Sequence, residues 1–272
     1  MEINLFDNNI SHVTYANPHR PVDNLSYKKP PVIEWDGVTV FTDEYCLTDI
    51  PHKVNSRYKI AWALESPAIK PAVYNHWKDL VNVFDKIYLC NPNINHPKVK
   101  IIEWGSCWIP LKECKVYDKT QLLSIIASEK RYTIGQKLRH EVIQSIQRNI
   151  DVWGRGYNNF ENRLTPFKQY MYSIVIENCI YPGYYTEKLL DCFATGCIPI
   201  YYGCPNTKSR FDERGFYTFS NVGELHDILN SISIEDYNSK LEYVNYNFNQ
   251  VEKYSSPDKN LLNNLIEDGF IH

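Results

Sequence analysis

The sequence predicts an α/β protein with two Rossmann-like layers. Short, nearly continuous apolar runs alternate with stretches of helical periodicity, as in parallel sheets that are covered on both faces. The 272 residues are enough for two domains of modest size, and the periodicity breaks around Pro110. We therefore predict an N-terminal domain over residues 1–115, a second domain over 116–245 and a helical tail over 246–272.

The first half contains four β-rich runs. They are residues 38–41, 59–64, 86–90 and 100–104. Between the second and the third run, the segment 74–84 places apolar residues from Trp77 to Phe84 at helical spacing, as a crossover helix between parallel strands does.

The second half has the clearer order, β-α-β-β-α-β. Its predicted elements are strands at 122–128, 150–154, 172–178 and 197–203, and helices at 135–149 and 186–196. Pro199 cannot donate to a sheet ladder, so we expect the last strand to lie at an edge or to pair only from Ile200 onward. The remaining chain is predicted to be helical and to cross back to the first domain.

Composition excludes several classes of protein. Apolar residues make up 43% of the chain, and 29 Lys and Arg stand against 32 Asp and Glu, which disfavours a disordered chain and a nucleic-acid-binding protein. No apolar run has the about 18 residues of a membrane-spanning helix, and the N-terminus lacks the pattern of a secretion signal. The expectation is a cytoplasmic protein, of bacterial origin or in the cytosol of a virus-infected host.

Cysteine and metal signals are weak. The eight cysteines have no CxxC spacing and several lie in apolar stretches, so we predict reduced, buried thiols and no structural metal. There is no GxxxxGK[ST] motif, and WGRGYN supplies only two glycines of a GxGxxG motif. The chain also lacks any Asp-x-Asp pair, so a bound diphosphate would need protein cations in place of a divalent metal.

Candidate cations lie near two predicted helix starts. Thr186 is a credible N-cap, which puts Glu187 and Lys188 in the first turn, where an anion is favoured. Arg139 lies beside the buried face of the helix after the strand 122–128, where it can reach the carboxyl edge of the sheet. His140 and Arg131 are alternatives, and capping or solvated side chains are the competing interpretation.

The loop 177–188 groups aromatic, amide and carboxylate side chains that suit a base and a ribose. With its flanking elements it reads YSIVIENCIYPGYYTEKLLDCFATGCIPIYYG over residues 172–203. This run resembles the signature of the family 10 fucosyltransferases: an apolar strand, Glu-Asn, a loop, Tyr-x-Thr-Glu-Lys, a helix, and a strand with Pro that ends in Gly. A strand ending in Ser128 and the turn DVWGRG extend the resemblance to about residues 120–220. The first half resembles the family more weakly.

The resemblance implies a GT-B-like fold, with two Rossmann-like domains facing across a cleft, and a GDP-sugar donor bound by the second domain. It implies transfer with inversion, with the GDP-sugar as co-substrate and no cofactor required. Carried over by position, Arg139 and Lys188 hold the diphosphate, Glu187 lies close to the donor sugar, and Asn178 and Tyr184 line the donor pocket.

Inversion requires a base for the acceptor hydroxyl. Glu65 follows the predicted strand 59–64 and precedes Ser66-Pro67, and the family has a Glu before a proline in a similar setting. Asp43, Glu44 and Glu103 follow other strand ends and compete with Glu65, and a solvated loop glutamate is the alternative to all of them.

These observations predict an inverting, metal-independent glycosyltransferase that moves a sugar, fucose being favoured, from a GDP-sugar to an oligosaccharide or glycan. Two alternatives stay open. The same scaffold can use another nucleotide sugar, because the signature does not fix the contacts to the sugar. The chain can also be a catalytically inactive relative that binds glycan or nucleotide.

Overall fold

Two parallel β-sheets organise the protein, and they confirm the predicted α/β class. The computed structural model describes residues 1–8, 10 and 16–271. The chain divides into two units. Unit 1 comprises Met1–Trp104, Pro182–Tyr184 and Ser256–His272, and unit 2 comprises Gly105–Tyr181 and Tyr185–Ser255.

In unit 1 the described strands form one parallel sheet in the order β2-β1-β3-β4-β5-β6. The strands are β1 (Glu2–Phe6), β2 (Ser26–Lys28), β3 (Glu34–Thr42), β4 (Asn55–Trp62), β5 (Lys86–Leu89) and β6 (Val99–Ile101). The helices assigned to this unit are α1 (Ile50–Lys53), α2 (Pro71–Asn75), α3 (Trp77–Leu80) and, from the C-terminal segment, α9 (Pro257–Glu267).

In unit 2 the described strands form a second parallel sheet in the order β11-β10-β9-β7-β8. The strands are β7 (Gln121–Ile126), β8 (Asp151–Trp153), β9 (Tyr170–Ile176), β10 (Ile198–Tyr202) and β11 (Tyr217–Thr218). The helices are α4 (Ile134–Ser145), α5 (Glu187–Phe193), α6 (Val222–Ser231), α7 (Ile234–Ser239) and α8 (Leu241–Tyr254).

Apolar side chains explain why β9 is the centre of the second sheet. All seven of its residues are buried, and all but Ser173 contribute to the two apolar clusters of unit 2. This is the pattern of a strand covered on both faces. The carboxyl end of β9 therefore leads directly from the core into the loop that carries the family signature.

Two sequence-based expectations need correction. The predicted helix over 74–84 is broken into α2 and α3 at His76, whose φ of −99° and ψ of 16° leave the helical region. Asn and His have low helix propensity, so the break falls at residues that favour it. Pro199 lies in an interior strand, opposite Ser173 of β9, and β10 pairs with β9 from Ile198 onward. Only the ladder with β11 begins at Ile200.

The C-terminal helix α9 belongs to the core of unit 1. Leu261 and Leu265 are fully buried in the same apolar cluster as Ile3, Leu5 and Val40. Asp258, in the first turn of α9, accepts hydrogen bonds from the backbone N–H groups of Ala16 (2.8 Å) and Asn17 (3.1 Å). The C-terminal helix α9 thus completes the apolar core of unit 1, whose sheet is formed by the N-terminal part of the chain.

Two further features concern the cysteines and the helices. All eight cysteines are free thiols, and six of them are buried as expected, whereas Cys114 and Cys179 are partly exposed. Within residues 1–8, 10 and 16–271, the helices fall short of the length and apolar character that crossing a bilayer demands.

We predict that Leu261→Ala lowers the free energy of unfolding by about 2 to 5 kcal/mol, because it removes a fully buried side chain and leaves a cavity. The matched control is Ile266→Ala in the same helix, where 49% of the side chain is exposed and the expected change is within about 0.5 kcal/mol. Urea denaturation measures both. Equal losses in the two variants would contradict the placement of α9 in the core of unit 1.

Candidate functional site

A basic cleft opens at the carboxyl ends of β7 and β8 in unit 2, where open parallel sheets bind ligands. Its volume is about 410 Å³. Four cations line it, against a single lining carboxylate, that of Glu161. The cations are Arg139, Arg155, Arg163 and Lys188. This balance of charge favours an anionic ligand.

Arg139 is fixed at the carboxyl end of β9. It extends from α4, whose N-terminus is closed by a capping box between Thr133 and Gln136. The guanidinium donates through Nε (3.0 Å) and Nη2 (2.5 Å) to the carbonyl oxygen of Ile176, and Nη2 lies 3.4 Å from Asn178 Oδ1. The backbone of β9 therefore orients a buried cation, and Asn178 assists it.

Lys188 is held by a buried polar cluster that joins β9 to α5. We call Glu177, Thr186, Glu187 and Lys188 the Glu177 cluster. The ammonium of Lys188 donates to Thr186 Oγ1 (3.0 Å) and Glu187 Oε1 (3.1 Å), and it lies 3.5 Å from Glu177 Oε2. Thr186 caps α5, as predicted, by accepting from the backbone N–H of Lys188 at 3.4 Å.

Electrostatics keep two members of the Glu177 cluster, Glu187 and Lys188, charged. Burial raises the pKa of Glu177, although Lys188 opposes the shift. Burial also acts to raise the pKa of Glu187, but the charges of Lys188 and Arg163 outweigh it and lower the value to about 2. Burial works against the ammonium of Lys188, yet Glu187 and Glu177 raise its pKa. At neutral pH, Glu187 is therefore a carboxylate and Lys188 an ammonium.

Arg163 is a cation of the cleft that sequence reasoning missed. Its Nη2 donates to Asp191 Oδ2 (3.0 Å), while Asp191 Oδ1 accepts from the backbone N–H of Trp108 (2.7 Å). Burial raises the pKa of Asp191 to about 6, and Arg163 opposes the shift. The Nε atom of Arg163 has no hydrogen-bond acceptor among the described residues. No periodicity or motif signals this arginine, because its partner lies 28 residues away in the chain.

Arg155 is placed in the cleft by the turn that the sequence shows as WGRG. The flanking glycines have φ values of +123° (Gly154) and +90° (Gly156), which favour glycine. A Cβ atom on Gly154 would lie 2.0 Å from the carbonyl oxygen of Ala127, so the turn packs directly on the end of β7. Arg155 itself is exposed. The two glycines predict the turn, but they do not predict that Arg155 lines the cleft.

The two alternative cations have other surroundings. His140 is buried, with its ring nitrogens 3.2 Å from the carbonyl oxygen of Lys130 and 2.9 Å from the hydroxyl of Tyr157. Arg131 is exposed and is not among the lining residues of the cleft. Of the sequence candidates, Arg139 and Lys188 are the cations that line the same cleft.

Glu65 and Tyr184 lie in unit 1. Glu65 follows β4, and its Oε2 accepts from the Tyr184 hydroxyl at 3.4 Å. Tyr184 is buried, and it belongs to the three loop residues that are assigned to unit 1. The structure thus groups Arg139, Asn178, Glu187 and Lys188 in one unit and Glu65 with Tyr184 in the other.

The competing carboxylates differ in their surroundings. Asp43 is fully buried, and its Oδ1 accepts from the backbone N–H groups of Leu64 (3.0 Å) and Glu65 (3.2 Å). Glu44 forms an ion pair with Lys70. Glu103 is half-buried, and its carbonyl oxygen accepts from Asn260. Across the part of the chain that the structure describes, no three His, Cys, Asp or Glu side chains are grouped as metal ligands.

Residues 116–262, more than half of the chain, match glycosyltransferase family 10 (fucosyltransferase), C-terminal part. The chain belongs to this family. The match contains the basic cleft and the Glu177 cluster, and it confirms the resemblance that the signature suggested.

One curated relative of this family 10 protein is the alpha-(1,3)-fucosyltransferase FucT of Helicobacter pylori. The two are 34% identical over 77 residues, which is 27% of this chain. The matching part spans only 16% of that relative's length.

Solved structures extend the likeness to most of the family 10 chain. A crystal structure of an alpha1,3-fucosyltransferase with GDP has a TM-score of 0.56 at 16% identity, over 90% of this chain and 81% of that one. The crystal structure of TarM has a TM-score of 0.56 at 9% identity, over 84% of this chain and 54% of TarM. At these identities the likeness concerns the fold, and it confirms the predicted GT-B-like class.

We predict that Gly135→Ala lowers the free energy of unfolding by about 3 kcal/mol, because the new Cβ atom would lie 1.7 Å from the carbonyl oxygen of Glu177. Gly135 is the second residue of α4, and its N–H donates to the carbonyl oxygen of Asn178 at 3.1 Å. The matched control is Gly223→Ala, at the second residue of α6, where the Asn221 side chain at 3.1 Å is the one near neighbour among the described residues. Its expected effect is within about 1 kcal/mol. If urea denaturation gives both variants the same stability, α4 does not start against the loop after β9.

Proposed function

We propose that this protein transfers a sugar, fucose, from a GDP-sugar to a carbohydrate acceptor, with inversion and without a metal ion. The observation that carries the proposal is the basic cleft of unit 2, where two sequence-predicted cations, Arg139 and Lys188, line one space in a family 10 chain. The family match and the likeness to an alpha1,3-fucosyltransferase crystallised with GDP support the same donor.

The cations of the cleft suit a leaving diphosphate. Transfer breaks the bond between the anomeric carbon and a phosphate oxygen, and the electron pair stays on the diphosphate. Arg139 and Lys188 are already oriented by β9 and by the Glu177 cluster, so they stabilise this charge without reorganising. The absence of an Asp-x-Asp pair from the sequence supports a diphosphate site built from protein cations.

Glu187 supplies a carboxylate for the donor sugar. Lys188 and Arg163 hold it in the ionised form, with a pKa of about 2 against the opposing effect of burial. A carboxylate near the anomeric carbon stabilises the positive charge of an oxocarbenium-like transition state. In this role Glu187 contributes through its charge and does not take up a proton.

Glu65 is the proposed base. The acceptor hydroxyl attacks the anomeric carbon opposite the departing diphosphate, and its proton passes to the Glu65 carboxylate. Glu65 follows a strand end in unit 1, where its side chain contacts the Tyr184 hydroxyl. We accordingly assign acceptor binding to the domain predicted at 1–115 and donor binding to the domain predicted at 116–245.

We predict that GDP raises the melting temperature of the protein more than UDP, CMP or ADP does, and equally in the presence of EDTA. A ligand that binds only the native state stabilises it by mass action, by about 2.7 kcal/mol at a hundredfold excess over Kd. Thermal-shift measurements and calorimetry test this prediction, and GDP-fucose and GDP-mannose are then screened with oligosaccharide acceptors. If UDP or CMP is preferred, the donor assignment is wrong. If no nucleotide binds, the inactive glycan-binding relative is the better account.

We predict that Lys188→Ala weakens GDP binding by about 10- to 100-fold, the effect of losing a charge-assisted hydrogen bond. Lys137→Ala is the control, because Lys137 is an exposed lysine of α4 that does not line the cleft. Since Lys188→Ala leaves Glu177 without its cation, the double variant Glu177→Gln, Lys188→Ala separates stability from binding. It should regain stability but not GDP affinity in calorimetry. Wild-type affinity in Lys188→Ala would refute the diphosphate site.

A further inference from the structure

Asp43 occupies an unusual position directly after β3. Its φ of +41° lies in the left-handed region, which only Gly, Asn and Asp adopt with any frequency. The residue is fully buried, and it begins a short 3₁₀ turn over Asp43–Leu47. A strained backbone persists only where its surroundings over-determine it, and such positions cluster at functional sites.

The carboxylate of Asp43 holds the backbone of the segment that carries Glu65. One oxygen, Oδ1, accepts from the consecutive backbone N–H groups of Leu64 (3.0 Å) and Glu65 (3.2 Å). On the other side, the hydroxyl of Tyr74 donates to the carbonyl oxygen of Glu65 at 3.0 Å. Glu65 is thus fixed through its backbone by Asp43 and Tyr74, and its carboxylate contacts Tyr184.

The charges around Asp43 come from several elements. Asp7 follows β1 and Glu65 follows β4, and both carboxylates act on Asp43. Cys46 lies on the same 3₁₀ turn, and burial raises the pKa of its thiol, so it adds no charge at neutral pH. The neighbouring Glu44 is paired with Lys70. Burial raises the pKa of Asp43 to about 6, the two backbone N–H groups oppose the shift, and Glu65 and Asp7 add to it.

We propose that Asp43 is a positioning residue for Glu65. Asp43 fixes the backbone of the base, and its negative charge stabilises the neutral form of Glu65 after Glu65 has taken the proton of the acceptor hydroxyl. The proposal rests on the proposed function, in which Glu65 takes the proton while the acceptor oxygen bonds to the anomeric carbon and the diphosphate leaves. The electrostatic repulsion between two carboxylates is mutual. The charge of Glu65 favours the protonated form of Asp43, and the charge of Asp43 favours the protonated form of Glu65 by the same energy.

The difference in burial between Asp43 and Glu65 shows why Asp43 is not assigned as the base. Asp43 is 0% exposed, and its Oδ1 already accepts two backbone N–H groups. It therefore does not present an oxygen to an acceptor hydroxyl. Glu65 is only half-buried, which leaves its carboxylate within reach of a substrate.

The test uses the full chain with GDP-fucose and the oligosaccharide that gives turnover in the acceptor screen. Asp43→Asn keeps the volume, tolerates the left-handed φ, and still accepts both N–H groups, but it removes the charge. We expect unchanged GDP affinity and a fall in kcat of about threefold at neutral pH, because a weaker base transfers the proton more slowly. The acid limb of the wild-type kcat/KM profile should begin with a fall of about threefold near pH 6, where Asp43 takes up a proton and loses the charge that makes Glu65 the stronger base, and Asp43→Asn should lack this step.

Asp258→Asn is the matched control. Asp258 is also fully buried in unit 1 and also accepts two backbone N–H groups, but those belong to Ala16 and Asn17. It should change stability and leave the acid limb in place. A second variant, Asp43→Gly, relieves the backbone strain while removing the acceptor. It should lower kcat more than Asp43→Asn does, with the KM for GDP-fucose unchanged.

The outcomes distinguish this proposal from the proposed function. If the wild type binds GDP but transfers no sugar, the proposed function fails. If Glu65→Gln retains turnover and Asp43→Asn abolishes it, Asp43 is the base and both assignments are wrong. If Glu65→Gln is inactive and Asp43→Asn has the pH profile of the wild type, the base assignment stands and the role of Asp43 is refuted.

Discussion

The structure of the candidate donor site depends on one buried carboxylate, that of Glu177. It lies at the end of β9 with 0% exposure, and its Oε1 accepts from the backbone N–H of Thr186 at 2.8 Å. The hydroxyl of Thr186 also donates to it, and the ammonium of Lys188 lies 3.5 Å from Oε2. A buried carboxyl group is costly unless its oxygens are hydrogen-bonded, and the capped start of α5 and the ammonium of Lys188 supply these partners to Glu177. The same interaction that closes the loop therefore orients Lys188.

The cations of the cleft are held by different parts of unit 2. Arg139 is anchored by a backbone carbonyl oxygen and Arg163 by Asp191, so part of the positive charge is held by groups that belong to the sheet and to α5. Arg155 adds a cation on an exposed turn. Pre-oriented cations of this kind favour an anion whose charge increases during the reaction, because no side chain has to be moved into place. The arrangement is consistent with a diphosphate leaving group and gives Glu187 a reason to stay ionised beside it.

Several parts of this arrangement were predictable from the sequence. The apolar run before Glu177, the N-cap Thr186 and the helical spacing after Gly135 are local signals, and the elements they predicted are present as β9, α5 and α4. The break at His76 and the pairing of Pro199 depend on marginal propensities and on neighbours in the sheet, so periodicity alone did not settle them.

The rest of the site depends on contacts between distant residues. The pairing of Arg163 with Asp191 and the contact of Asp43 with the Glu65 backbone join segments 28 and 22 residues apart, and no local pattern encodes them. Tyr184 shows the same limit. Its hydroxyl contacts Glu65, 119 residues away in the chain, and no local pattern predicts this contact.

A crystal structure of the protein with GDP, grown in EDTA, tests the central claim most directly. The account predicts that oxygens of the diphosphate lie within about 3.2 Å of the guanidinium of Arg139 and the ammonium of Lys188, with the Glu177 cluster intact. A diphosphate bound away from the cleft of unit 2, or GDP that enters the crystal only when a divalent metal is supplied, would contradict it.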